Sequence, residues 1–368
     1  MFLKQLRLAD FRNWAALEWE PAPGLNILSG ANAQGKSNLL EAIFFLATGK
    51  SFRTPRDAEL ARFGTAAFAV GGRIVKASGE TSLVVRWEAP RGKTLTLDRT
   101  EHLRLAELFG EVTAVIFSPE DLALVKGPPQ VRRHTLNLLL LQTSRAYYHH
   151  LREYNRALSQ RNAALKHLPP TAGSELALAA WEEELAGHGA EVILRRARAL
   201  AELARWADAR HRELSGGQPL SVSYLPNVPF PAGAALPAIA AALAAELAQR
   251  RREELRRGIT LSGPQRDEIA FSVAGRELRS YGSQGEQRTA ALAWKLAEVE
   301  YIKAATGESP LLLLDDVYSE LDPERRTYLT RHAAQGGQTF LTATEETAAA
   351  RLPGAVRWQV AGGELTAL

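Results

Sequence analysis

One short segment decides the fold of this chain: Gly30-Ala31-Asn32-Ala33-Gln34-Gly35-Lys36-Ser37. A strand-like run, Leu25-Asn26-Ile27-Leu28, comes before it, and a helix-like apolar pattern follows it. A glycine-rich turn between a strand and a helix presents backbone N–H groups and the positive end of a helix dipole to phosphate oxygens. In such a Walker A loop the lysine reaches the β- and γ-phosphates, and the serine hydroxyl holds Mg²⁺. The sequence therefore predicts a site for a nucleoside triphosphate.

Length and composition set broad limits on the remainder of the chain. The 368 residues suffice for two domains or for one domain with a large insertion, and a hydrophobic content of 46% supports a substantial core. No apolar run approaches the roughly 20 residues of a membrane span, and the N-terminus lacks the pattern of a signal peptide, so we expect a cytoplasmic protein without a membrane partner. The absence of cysteine excludes disulfides, zinc–cysteine sites and thiol catalysis. A net charge of +4 is compatible with nucleic acid binding.

The secondary-structure pattern changes twice along the chain. Residues 1–125 and 258–368 mix strand-like and helix-like segments, whereas residues 126–257 are mostly helical, with a Pro- and Gly-containing interruption from 215 to 237. The predicted architecture is a discontinuous α/β head, residues 1–125 and 258–368, with a helical arm, residues 126–257, inserted in it.

The second half of the nucleotide site is predicted far downstream, at Leu311-Leu312-Leu313-Leu314-Asp315-Asp316. This is an apolar strand that ends in two acids, the pattern of a Walker B motif. Asp315 would hold Mg²⁺, and Asp316 would orient or polarise the attacking water. The alternative is a buried strand that runs into an acidic turn, and the Walker A loop makes this alternative less favoured.

A third motif opens the helix before that strand: Tyr281-Gly282-Ser283-Gln284-Gly285-Glu286-Gln287-Arg288. Backbone N–H groups and a hydroxyl at a helix N-terminus suit an anion, although Ser283 and Glu286 also match a simple capping box. The order of this Ser/Gly loop, the Walker B strand and Ser319-Glu320-Leu321-Asp322 is that of ABC-type ATPases, with a signature loop and a D-loop. In such proteins the signature of one subunit covers the γ-phosphate held by its twin, so two ATP molecules lie in a symmetric dimer.

The combination of motifs resembles the RecF family of small SMC-like DNA repair ATPases, and the resemblance runs along nearly the whole chain. The matching segments are 8–14, 30–38, 49–53 (Gly-Lys-Ser-Phe-Arg), 117–122 (Phe-Ser-Pro-Glu-Asp-Leu), 261–267 (Leu-Ser-Gly-Pro-Gln-Arg-Asp) and 313–317. The insertion at 126–257 is far too short for the coiled coil of a full SMC protein, which also fits this family.

The resemblance implies an α/β ABC-type head, ATP and Mg²⁺ as cofactors, and an ATP-dependent homodimer that binds single-stranded, double-stranded, junction or gapped DNA. It implies slow ATP hydrolysis and loading of the RecA recombinase together with RecO- and RecR-type partners. The implied nucleotide contacts are Arg12, Gly30, Asn32, Gln34, Gly35, Lys36, Ser37 and Asn38, with Ser283, Gly285 and Gln287 acting across the dimer. The implied catalytic residues are Asp316, Lys36 and Glu120, and the metal ligands are Ser37 and Asp315.

The chain departs from the ABC pattern in four places. Glu286 stands where many ABC proteins have a second glycine, and Asp316 stands where fast ABC ATPases have glutamate. A shorter acid lies further from the water, which is consistent with a switch rather than a motor. Thr342-Ala343-Thr344 stands near the expected position of the switch histidine, so the sequence identifies no γ-phosphate sensor. No clear Q-loop glutamine is present either, and Glu120 is a candidate for its role.

The beginning of the arm is basic and aromatic. Arginines and tyrosines interleave between residues 126 and 166, a pattern that can neutralise phosphates and pack on sugars or bases. The alternative is a solvated helical face with tyrosines in the core. The predicted DNA-binding residues are Arg132, Arg133, Arg145, Arg152 and Arg156.

Two other functions share these head motifs. An ABC transporter ATPase subunit would also need Walker A, signature and Walker B, but it does not explain a basic helical insertion of this size. A structural SMC-like tether, in which hydrolysis is incidental, would need no DNA-responsive turnover.

Overall fold

The computed structural model describes residues 1–102, 105–169, 171–231, 233–335, 337–344, 352 and 354–368. The strands are β1 (Phe2–Phe11), β2 (Trp14–Trp19), β3 (Leu25–Ser29), β4 (Ala67–Lys76), β5 (Gly79–Glu88), β6 (Gly92–Leu97), β7 (Thr100–His102), β8 (Ala114–Phe117), β9 (Leu220–Leu225), β10 (Glu268–Val273), β11 (Arg276–Glu277), β12 (Leu311–Leu314), β13 (Thr339–Ala343), β14 (Val356–Ala361) and β15 (Glu364–Ala367). The α-helices are α1 (Lys36–Thr48), α2 (Leu122–Lys126), α3 (Pro129–Thr143), α4 (Arg145–His167), α5 (Ala172–Ala177), α6 (Ala179–Ser215), α7 (Leu236–Arg257), α8 (Leu278–Tyr281), α9 (Gln284–Thr306), α10 (Val317–Glu320) and α11 (Pro323–Gln335).

The chain divides into two compact units. The first, called the head, comprises Met1–Asp121 and Leu292–Leu368, and the second, called the arm, comprises Leu122–Ala291. The arm extends beyond the predicted residues 126–257 because strand β10 pairs with β9, which lies in the Pro- and Gly-containing interruption of the helical region. The residues after 258 therefore pack with the helices until the first turns of α9.

The core of the head is a mostly parallel sheet in the order β15-β14-β3-β13-β12-β8. Strands β8, β12, β13, β3 and β14 run parallel, and β15 closes the edge as an antiparallel hairpin partner of β14. Strand β12, four leucines, is buried along its whole length, as expected of a strand covered on both faces. Because all five parallel strands end at the same edge, the loops after β3, β8, β12 and β13 meet there.

Helix α1 packs onto this sheet directly after the Walker A loop. Eleven of its thirteen residues are buried, so this helix is apolar nearly all round and not amphipathic. A second, antiparallel sheet in the order β2-β1-β4-β5-β6-β7 belongs to the same unit. Phe11, Phe45 and Phe68 pack between this sheet and α1, with ring centroids 5.4 to 6.3 Å apart.

The arm combines helices with a three-stranded sheet in the order β11-β10-β9. Tyr154, Leu185, Ile193, Leu243 and Leu247 form its main apolar cluster, to which α4, α6 and α7 contribute. A buried ion network joins the same helices, because Arg161 on α4 binds Glu182 on α6 at 3.0 Å and Glu254 on α7 at 2.6 Å. All three of these side chains are nearly inaccessible to solvent, so the loss of one partner would leave a buried charge uncompensated.

Among the described helices, none combines the length and the apolar character that crossing a membrane would require.

Candidate nucleotide-binding site

The Walker A loop connects β3 to α1 in the predicted manner. Gly30 has a φ of +153°, and a Cβ there would lie 2.3 Å from the carbonyl oxygen of Val360. Gly35 is the N-cap of α1 with a φ of +109°, and its Cβ would lie 2.4 Å from the amide nitrogen of Asn13. Both positions therefore accept only glycine, for reasons of conformation and of space. The first turn of α1 follows at once, and its backbone N–H groups have no acceptor within the helix.

The side chain of Lys36 extends back to the beginning of the loop. Its Nζ donates to the carbonyl oxygens of Gly30 at 2.7 Å and Ala31 at 2.8 Å, and its side chain is buried. The ammonium therefore lies along the inner wall of the loop, where it can exchange carbonyl contacts for phosphate oxygens. Asn32 is exposed at the tip of the loop. The side chain of Gln34 accepts a hydrogen bond from the backbone N–H of Gly362, which ties the loop to the C-terminal hairpin.

The predicted metal ligands are in contact. The Oγ of Ser37 donates to Oδ1 of Asp315 at 2.8 Å, and the Oγ1 of Thr342 donates to the same oxygen at 3.0 Å. Burial raises the pKa of the Asp315 carboxyl, and the two hydroxyl hydrogen bonds oppose that rise because they stabilise the ionised form. A serine hydroxyl and a carboxylate are the hard oxygen donors that Mg²⁺ prefers, so this pair fits the predicted ion.

Thr342 is a site residue that the sequence analysis left without a role. It is the residue before the last of β13, beside β12, and its Oγ1 also accepts a hydrogen bond from the backbone N–H of Asp316 at 2.8 Å. Asp316 has a left-handed φ of +51°, and its side chain is exposed. One hydroxyl thus fixes both acids of the Walker B motif.

Glu120 lies in the 3-10 helix Pro119–Asp121 that follows β8, at the same edge of the sheet. It is exposed, and its charge contributes to the raised pKa of Asp315, which places it within electrostatic reach of that residue. This position is compatible with the predicted Q-loop role.

Two polar networks lie beside the loop and the first turns of α1. In the first, Arg12 donates through Nε and Nη2 to the buried carboxylate of Glu41, at 2.8 and 2.7 Å, and through Nη1 to the carbonyl oxygen of Glu59 at 2.7 Å. Ser51 donates to Glu41 as well. Arg12 is therefore held in one orientation by partners from α1 and from the segment after it.

The second network joins asparagines to the loop. Asn13 donates to the carbonyl oxygen of Gln34 at 3.0 Å and accepts from the amide of Asn38 at 2.7 Å, while Arg53 donates to Asn38 at 2.8 Å. Asn38, predicted as a nucleotide contact, thus orients its neighbours. Asn13 and Arg53 were part of the family motifs, but nothing in their local sequence indicated that they would meet.

The Ser/Gly loop before α9 belongs to the arm. Ser283 and Glu286 form a reciprocal capping box, because the Glu286 carboxylate accepts from the Ser283 backbone N–H at 2.8 Å and the Glu286 N–H donates to Ser283 Oγ at 3.2 Å. Ser283 and Gly285 are exposed. The Gln287 amide is buried and donates to the carbonyl oxygen of Leu278 at 2.8 Å. It therefore holds the loop against the residues before it and does not face outward, where a nucleotide of a second copy would bind. The side chains of Ser319 and Glu320 in the D-loop lie outside the described part of the chain.

The predicted DNA-binding arginines separate into two groups. Arg132 is 3% exposed and binds Glu268 through two nitrogens at 2.7 and 2.8 Å, and Arg133 donates to the carbonyl oxygen of Asp267 at 2.6 Å. Assigning Arg132 to DNA was wrong, because its guanidinium is buried and bound within the arm. Arg145, Arg152 and Arg156 are exposed on α4.

The interleaved tyrosines are also mainly structural. Tyr147 and Tyr154 are fully buried, and Tyr147 donates to Asn137 at 2.6 Å. Tyr148 alone lies near the surface, under the guanidinium of Arg152 at 5.9 Å. Tyr147 and Tyr154 are therefore core residues, as the alternative interpretation of this segment predicted.

Comparison with known proteins shows the family of this chain. A family model described as "RecF/RecN/SMC N terminal domain" matches residues 2–353. The chain belongs to the RecF family. It is 45% identical to the DNA replication and repair protein RecF of Symbiobacterium thermophilum, over 94% of this chain and 92% of that one. It is 42% identical to RecF of Geobacillus thermodenitrificans, over 94% and 93% of the two chains.

Solved structures confirm the predicted fold class. A structure described as the recombination mediator protein RecF-ATP in the RecFOR pathway superimposes with a TM-score of 0.93 at 33% identity, over 100% of this chain and 97% of that one. The Smc head domain of Pyrococcus furiosus matches with a TM-score of 0.56 at 16% identity, over 100% and 96% of the chains, and shows the shared fold alone. The α/β ABC-type ATPase head predicted from the motifs is therefore confirmed.

We predict that Thr342→Val selectively weakens the binding of ATP in the presence of Mg²⁺. Valine keeps the shape of threonine but removes one of the two hydroxyl hydrogen bonds to Asp315 and leaves the Asp316 N–H without its acceptor, a cost of about 1–3 kcal/mol and hence roughly fivefold to a hundredfold in affinity. Fluorescence titration with labelled ATP, in Mg²⁺ and in EDTA, measures this. Thr342→Ser keeps the hydroxyl and should bind like the unmodified chain. Equal losses of ATP affinity with and without Mg²⁺ would contradict the conclusion that Thr342 holds the metal ligand Asp315.

Proposed function

We propose that this chain is an ATP-dependent DNA-binding protein of recombinational repair and replication. Two copies join when each binds ATP, the joined pair clamps DNA at single-strand gaps or junctions, and slow hydrolysis releases it. The observation that supports this proposal most strongly is the convergence of Ser37, Asp315 and Thr342 beside the Walker A loop. The similarity to RecF proteins along almost the whole chain supports the biological setting.

The nucleotide-binding step follows from the residues of the head. Loop N–H groups and Lys36 bind the phosphates, and Asn13 and Gln34 hold the loop in shape. Ser37 and Asp315 would hold Mg²⁺, which supplies charge neutralisation at the β- and γ-phosphates. Asp316, exposed beside this pair, would orient water for attack, and Glu120, within electrostatic reach of Asp315, would assist.

The dimer follows from the need to close the γ-phosphate side of the site. Ser283 and Gly285 are exposed at the start of a long helix, and Tyr281 beside them is 73% exposed. Such a loop offers a hydroxyl and N–H groups to the phosphate held by a second copy of the chain. ATP then stabilises the pair because it binds the joined state more tightly than the separate chains.

We propose further that turnover is slow and stimulated by DNA, and that RecO- and RecR-type partners act with the pair to load RecA. The short Asp316 side chain favours slow turnover. The partner set is suggested by the RecFOR pathway named for the matching structure. The alternative of a transporter ATPase subunit is disfavoured because it does not explain the basic helical arm.

The dimer is tested by sedimentation velocity with and without ATP. Ser283→Arg places a bulky cation at the γ-phosphate face, and Lys36→Ala removes the phosphate ligand, so both variants should stay monomeric in ATP. Ser221→Arg, at an exposed position of β9, is the matched control and should dimerise. Dimerisation of Ser283→Arg equal to that of the control would refute the proposed interface.

The DNA surface is tested through the salt dependence of binding. The double variant Arg152→Ala and Arg156→Ala should bind more weakly, and the slope of log K against log salt should decrease by about one for each lost phosphate contact. Arg257→Ala, at a similarly exposed arginine on α7, serves as the control. An unchanged slope in the double variant would exclude this face of α4.

A further inference from the structure

Three histidines of the arm converge between two helices. His149 and His150 lie on α4 and His188 lies on α6. Their ring centroids are 5.1, 5.8 and 5.2 Å apart, for the pairs 149–150, 149–188 and 150–188. One nitrogen from each ring lies within 4.8 Å of the other two. Neither the nucleotide site nor the arginine face of α4 uses these residues.

The closest pair constrains the protonation of the rings. The Nδ1 atoms of His150 and His188 are 3.0 Å apart, so a hydrogen bond between them requires that one nitrogen carry a proton and the other accept it. Two protonated rings at this distance would repel each other. The cluster is therefore compatible with neutral imidazoles, the form that binds metal ions.

Two carboxylates lie close to the three rings along the same helices. Glu191 lies one turn after His188 on α6 and binds Arg195 at 3.1 Å. On α4, Glu153 lies one turn after the histidine pair and binds Arg152 and Arg156. Two carboxylates thus flank the rings, where they can compensate the charge of a bound cation.

The distances suit a small tetrahedral ion. A metal with bonds of about 2.0–2.1 Å to nitrogen places its ligand atoms roughly 3.3 Å apart. The His150–His188 separation of 3.0 Å is already close to this value, and a ring nitrogen of the exposed His149 lies within 4.8 Å of both. Three imidazoles leave a fourth position for water.

We propose that His149, His150 and His188 form a transition-metal site, with Zn²⁺ as the expected ion, that links α4 to α6. Imidazole ligands suit Zn²⁺, Ni²⁺ and Cu²⁺ and do not suit Mg²⁺ or Ca²⁺, so the site is chemically distinct from the nucleotide site. An ion that binds only the folded arm stabilises it. Because α4 also carries Arg152 and Arg156, the ion would fix the helix that presents these arginines. Metal binding at this site does not depend on the proposed binding of ATP or DNA.

The test uses the full chain without a polyhistidine tag, first treated with EDTA and then freed of it. Co²⁺ is added alone, since its visible absorption reports tetrahedral coordination, and Zn²⁺ is then added to displace it. We expect one Co²⁺ per chain with intense visible bands that Zn²⁺ abolishes. Zn²⁺ should also raise the midpoint of thermal unfolding. His188→Ala and His149→Ala should each weaken Co²⁺ binding by at least about tenfold.

His167→Ala is the matched control, because His167 is an exposed histidine at the end of the same helix, outside the cluster. It should bind Co²⁺ like the unmodified chain. Circular dichroism checks the folding of each variant. If His188→Ala does not fold, the exposed His149→Ala decides the outcome. The proposal is overturned if the unmodified chain gives no tetrahedral Co²⁺ spectrum, or if a folded cluster variant retains the full affinity.

Discussion

The hydrogen bond from Ser37 to Asp315 joins residues 278 positions apart and makes one site out of two ends of the chain. It depends on the order of the parallel sheet, in which β13 separates β3 from β12 and all three end at the same edge. Thr342, at the end of the middle strand, bridges the gap by contacting Asp315 and the backbone of Asp316. Every proposed step at the nucleotide, from metal binding to water attack, requires this alignment.

The same constraint explains how an arm can be inserted without disturbing the site. Residues 122–291 leave the head after β8 and its short 3-10 helix, and the chain returns through α9, which leads into β12. The arm has its own apolar core and its own buried ion network around Arg161. The arm therefore has stabilising contacts of its own, and its surface can serve a different ligand.

Much of the head could be predicted because its signals are local. The Walker A glycines indicate unusual backbone angles, and a run of four leucines indicates a buried strand. Both the loop and β12 were therefore predicted at the correct positions. Residues that act through tertiary contacts could not be assigned in this way. Asn13, Glu41 and Arg53 acquire their roles only when separate segments meet, and Thr342 gains its role only from the sheet order. In the arm, charge alone was misleading, because Arg132 is buried and is paired with Glu268, which lies 136 residues away. Strand β9 was missed because it lies in a stretch rich in turn residues.

The central claim is that each ATP site is shared between two copies of the chain. Mixing two inactive variants, Lys36→Ala and Ser283→Arg, tests it most directly. In a mixed pair, one site combines both defects. The other site is intact, because its Walker A loop comes from the Ser283→Arg chain and its signature loop comes from the Lys36→Ala chain. Because neither variant pairs with itself, every pair in an equimolar mixture is a mixed pair with one working site of two, so ATP turnover should recover to as much as about half of the unmodified level. Turnover that stays at the background of the separate variants, at any mixing ratio, would contradict the account.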